Sequence, residues 1–204
     1  SAAPVTVIVK SVLAPATVDE PAERAASLIR ERFGEASRQV AQTQTKLEPH
    51  WSTIGGADDA EKLNFIGYIE GRSKGAKLTN IKLQPLADEL RTAYKDVHDK
   101  MKTMSPTERA GFVEDYYRHQ WEIDDAYNAA FSKAGTSGFT KQRSIPTIAE
   151  GIARGLKPKT LDPVQTTLEY VENARKFIAS NEVLNRARQV GYITPRGVGS
   201  KRPF

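Results

Sequence analysis

The residues best equipped for chemistry are Asp115, His119 and Glu122. If residues 112–127 form a helix, these three fall at i, i+4 and i+7 and share one face. Two carboxylates and an imidazole so placed could ligate Zn²⁺ or Fe²⁺, or do acid–base work. Tyr116 and Trp121 stand beside them. A helix this rich in charge also aligns such residues by chance. The simpler reading is a solvated or hydrogen-bonded face, so no catalytic residue, metal or cofactor is assigned.

A second group is cationic. Lys141, Arg143, Arg154, Lys157 and Lys159 flank a short apolar stretch, with Phe139 nearby and Glu150 as the one acid between them. Such a cluster could converge on a phosphate backbone. It could equally be a solvated surface or an ion-paired one. Gly155 and Pro158 make a tight turn here, which favours an antiparallel return. That would lay Glu169, Glu172 or Glu182 beside the cations.

Other chemistry is missing. Gly55-Gly56 and Gly197-x-Gly199 lack the lysine and hydroxyl residue of a phosphate loop and the strand before it. No serine sits in a G-x-S-x-G elbow, and there is no H-E-x-x-H. His50, His98 and His119 are far apart in the chain. Cysteine is absent, which excludes disulfides, thiolate metal sites and a cysteine nucleophile.

The charge balance is thirty basic residues against twenty-five acidic, a net of +5. Residues 1–102 are close to neutral, with fifteen basic and fourteen acidic groups. The excess lies late, in residues 133–159 and 183–204. No stretch approaches eighteen apolar residues, so no membrane span is expected. The opening SAAPVTVIVK is too short for a signal-peptide core. It also lacks an initiator Met, which suggests a processed product or a piece of something larger.

The elements that must carry these groups are helical. Residues 1–18 read as an extended arm. A helix begins near Asp19 and Pro21 and fades after Leu47, before Pro49. Ala22, Ala26, Ile29, Phe33, Ala36 and Val40 form a stripe along it whose small residues would admit a partner helix. A second helix runs from Asp58 or Asp59 to Gly71, and residues 72–82 read as a loop. Leu83, Leu86, Leu90, Tyr94, Val97, Met101 and Met104 give the third helix an apolar seam along its whole length. Ser105, Pro106 and Glu108 resemble a helix start, which predicts a fourth helix over about 106–133, either continuous or broken near Tyr117. Ser144 and Pro146 open a short one that stops at Gly155. Asp162 and Pro163 start the last, which ends at Gly191. Residues 192–204 form a basic tail or a cut end.

Four motifs occur in order: FIGYIEGR at 65–72, LADELRTAYKDVHDKM at 86–101, YYRHQW at 116–121 and FTKQRSIPTIAEGIARGLKPKTLDPV at 139–164. In this order the chain resembles a helical region of the very large polyvalent proteins of phages and conjugative plasmids, over roughly 60–193. Arg118 stands where that family often has proline, which favours a continuous helix there. The resemblance implies a non-enzymatic connecting region of a virion-packaged or ejected internal protein. It would be located in the virion and, after delivery, in the host cytoplasm or periplasm.

The expected fold is all-α. It is an elongated or open bundle of six to seven helices over 19–191, preceded by the arm. Hydrophobic residues are 39% of the chain, below the usual range, which suits a thin core. The expected function is a structural or interaction module that packs its helices on other virion proteins, on modules of a parent chain, or on a second copy. The alternative is a nucleic-acid-binding module built on the cluster at 141–159.

Overall fold

The computed structural model describes residues 20–104, 117–124, 127 and 145–191. The arm at 1–18, the tail at 192–204, Asp115, Lys141 and Arg143 lie outside the described residues. So does most of the span expected as the 106–133 helix.

The described residues are all-α, with no β-strand beyond a single isolated bridge. Helix α1 (Glu20–Leu47) has Pro21 in its first turn, where a missing N–H costs nothing. It runs through the 3-10 turn Glu48–His50 into the short α2 (Trp51–Gly55). Helix α3 (Asp59–Gly71) is capped by Asp58, whose carboxylate accepts the Glu61 N–H at 2.8 Å. Helix α4 (Gln84–Lys102) follows a 3-10 turn opened by Asn80. Helix α5 (Ile148–Ala153) is capped by Thr147 and stops before Gly155 at φ 84°; Ser144 lies outside the described residues. Helix α6 (Pro163–Gln189) is capped by Asp162, which accepts from the N–H groups of Val164 and Gln165.

The core follows the α4 seam. Leu83, Leu86, Leu90, Tyr94, Val97 and Met101 are buried together with Phe65, Ile66, Val164 and Val171. Each such aliphatic or aromatic side chain contributes about 1.5–3 kcal/mol on leaving water. Three long helices share the layer. Tyr94 stacks on Tyr170 at 4.6 Å and Lys100 reaches Glu182, so α4 and α6 run in the same direction. Arg32 pairs with Glu182 while Glu35 lies in the field of Arg175, so α1 and α6 run oppositely.

The charges at this junction alternate. The Glu182 carboxylate of α6 takes Lys100 of α4 at 2.7 Å and Arg32 of α1 at 3.7 Å. Two turns earlier on α6, Arg175 sits in the fields of Asp96 and Glu35 from the same two helices. Burial pulls the Arg175 guanidinium below its usual range, and the two acids oppose that. Reversed signs one heptad apart favour a single register of α6 against α1 and α4.

The stripe expected on α1 is divided. Ala36 is buried and Val40 packs on the core, but Ala22 is exposed and Ile29 keeps 45% of its surface in solvent. Ala26 and Phe33 are half-buried. Helix α1 packs chiefly on α6 of its own chain.

Candidate functional site

Of the two readings of the 106–133 span, the continuous helix is overturned at Tyr117, where a break is the alternative. Residues 117–123 are extended, and Trp121 forms an antiparallel bridge with Pro158. The Glu122 N–H donates to Lys157 O and the Lys159 N–H to Gln120 O, each at 2.8 Å. The reason is burial. Tyr117, His119 and Trp121 are all buried, while Arg118 and Gln120 are half-buried and Glu122 is exposed. A two-residue period turns all three rings inward, whereas a helix would keep Tyr117 and Trp121 on one face and send His119 to the opposite one.

This strap is anchored by a carboxylate that the sequence did not single out. Glu70, in the last turn of α3, accepts a hydrogen bond from His119 Nε2. It also accepts the backbone N–H of Ile148, at 3.1 Å to both oxygens. The Glu70 and His119 side chains are 4% and 3% exposed. One acid therefore joins α3, the strap and the start of α5. A clue was present, since Glu70 lies one turn after Ile66 and next to Ile69, on a helix whose apolar side is buried.

Aromatic rings surround the pair. Tyr117 meets His119 edge-on at 5.8 Å, and Trp121 lies 5.6 Å from the imidazole. Tyr94 connects this cluster to Tyr170, and its hydroxyl accepts the Arg118 N–H at 3.3 Å. Burial drives the Tyr117 phenol far above its usual range. The Thr166 hydroxyl beside it acts the other way, and the negative charges of Glu70 and Asp162 add to the rise. The Trp121 indole covers Gly151 so closely that a Cβ at position 151 would overlap it. Glycine is needed there for close approach.

The grouping of Asp115, His119 and Glu122 on one helix face, considered as the alternative to a solvated face, is not found for the two members that are described. Asp115 lies outside the described residues, and the strap sends His119 inward and Glu122 to solvent. Among the described residues no group of three or more histidine and carboxylate side chains is placed to hold a metal ion. His119 and Glu70 are sealed from solvent and bonded to each other, an arrangement that fastens chain segments.

The cationic cluster is partly neutralised, though by other acids than those expected. Arg154 pairs with Glu150, and Lys157 lies 4.0 Å from Asp124. Glu169 instead binds Gln120 and Gln165, Glu172 binds Lys176, and Glu182 binds Lys100 and Arg32. Lys159 is exposed and enters the bridge through its backbone. A separate cleft of about 310 Å³ opens where α1, α6 and the end of α4 meet. Its walls carry Leu28, Arg32, Met104, Glu182 and Arg186. Arg32 and Glu182 already face one another there.

No described helix is long and apolar enough to cross a membrane. Compared with known proteins, the chain matches no family model, no curated protein and no solved structure.

Proposed function

We propose that this chain is a structural interaction module that works by packing its long helices against other chains. One observation carries the reading. The two long helices that pair with each other also leave large apolar side chains in solvent: Ile29 on α1 at 45%, and Phe177 and Leu184 on α6 at 44% and 40%. Phe177 and Leu184 are seven residues apart, so they lie two turns apart on one side of α6. Exposed apolar side chains repeated along a helix suit a partner helix.

The resemblance to polyvalent phage proteins extends this to a module of a virion-associated protein, with a second copy or other virion proteins as partners. An open bundle of six to seven helices with an N-terminal arm belongs to the same proposal. The sealed Glu70–His119 pair favours a non-enzymatic role, because substrate would have to displace the strap to reach it. Nucleic-acid binding is the less favoured reading. Glu150 and Asp124 offset two of the three described cations of the cluster.

Sedimentation velocity over a wide concentration range tests the packing reading. The wild-type chain is expected to associate, and Phe177→Asp with Leu184→Asp to weaken that association while the chain stays folded, with only a modest loss of thermal stability because both side chains are partly covered by their own chain. A mobility shift at low and moderate salt tests the alternative, since phosphate contacts lose affinity steeply with salt.

A further inference from the structure

Residues 117–122 are bound to the rest of the molecule as an extended peptide is bound to a groove. Three alternate side chains are the anchors: Tyr117 against Tyr94, His119 on Glu70, and Trp121 over Gly151. Two backbone hydrogen bonds to Lys157 and Lys159 add the segment to a short extended edge. Backbone pairing for affinity and alternate pockets for specificity are the features of peptide recognition by strand addition. Here the recognised peptide belongs to the same chain.

None of these contacts depends on covalent continuity between strap and groove. Glu70 is 49 residues from His119 in sequence, and Ile148 is 78 residues from Glu70. In sequence the strap is set off from Met104 by twelve residues, a length that reaches about 40 Å when extended. An identical strap offered by another molecule would meet the same carboxylate, the same glycine platform and the same backbone groups.

We propose that this groove is an exchange site, and that its partner in assembly is residues 117–122 of a second copy of this chain. Exchange of an identical element preserves every anchor contact and closes on itself as a two-fold dimer. The groove discriminates by chemistry. It requires an aromatic ring, then two positions later a hydrogen-bond donor for a buried carboxylate, then two later an indole packed closely on a glycine. The inference does not depend on the exposed faces of α1 and α6, so either can fail without the other.

Complementation between two defective full-length chains tests it. One chain carries His119→Ala and Trp121→Ala, which remove the anchors and leave the groove. The other carries Glu70→Ala and Gly151→Val, which damage the groove and leave the strap. The expected result is that mixing, warming and cooling produce a heterodimer that melts higher than either chain alone. Absence of a heterodimer overturns the proposal. Where the anchor-deficient chain fails to fold alone, an acetylated peptide of residues 117–122 is added and the circular dichroism melt repeated. Recovery of the folded signal by this peptide, and not by a scrambled one, supports the groove; no recovery overturns it. Peptide recovery without heterodimer formation overturns the second copy as the occupant.

Discussion

The Glu70 carboxylate accepts from both the His119 imidazole and the Ile148 backbone N–H, so one buried acid fastens two segments distant in sequence. A buried acceptor so used is costly to remove, because its donors are left without partners in a dry site. Glu70→Ala and His119→Ala are each expected to destabilise the fold by about 3–5 kcal/mol. Glu70→Gln keeps an acceptor for Ile148 and should lose less. Urea unfolding followed by circular dichroism measures all three; a loss below about 1 kcal/mol for both alanine variants would remove this pair from its structural role.

Trp121 and Gly151 form a matched pair. Adding a methyl group at position 151 forces the indole to move, with an expected cost of about 1–3 kcal/mol. Removing the indole should relieve that cost. In the Trp121→Ala background, Gly151→Ala is therefore expected to be nearly neutral or stabilising, since alanine also suits a helix better than glycine. A double-mutant cycle gives the coupling directly. Additive effects would contradict the contact.

Burial raises the Tyr117 phenol well above its usual pKa of about 10. The unfolded chain therefore releases that proton before the folded chain does. The associated stability is fully present below about pH 10 and falls as pH rises beyond it. Thermal melts between neutral pH and alkaline pH should show this decline in the wild type. Tyr117→Phe should lessen it, leaving the contribution of other groups. Equal alkaline slopes for the two proteins would show that Tyr117 is not sealed.

The junction at Glu182 predicts a local effect. Lys100 and Arg32 are both more than a third exposed, so solvent screens the two pairs and Glu182→Ala should cost about 1 kcal/mol or less. Glu182→Lys places three cations together and should cost more. The change should appear as faster amide exchange in the last turns of α6, and it should shrink as salt is added. Uniform loss across all helices would argue against a local register contact.

Much of the fold was legible because its signals are local. The apolar seam repeats with helical period from Leu83, in the turn before α4, to Met104; every position up to Met101 is buried, while Met104 lies past the helix end at Lys102 and is only partly buried against the core. Asp162 followed by Pro163 announced the start of α6, and the cap is formed as expected. The strap was hidden for a physical reason. Its alternation covers just three large side chains, and its extended form depends on residues 157–159, far along the chain. The apolar spacing from Phe112 to Phe131 meanwhile imitates a helix. Glu70 carries no local signal, because a glutamate near a helix end reads as solvated, and the groups that hold it come from elsewhere. On α1, small residues on more than one side obscured which face turns inward.

The most direct measurement is sedimentation velocity of the wild-type chain beside the Phe177→Asp, Leu184→Asp variant, from micromolar to millimolar concentration. The packing account predicts association of the wild type that rises with concentration. It predicts a variant that remains smaller at every concentration while it still melts cooperatively as a folded chain. A wild type that stays monomeric throughout, and sediments as the variant does, would contradict it.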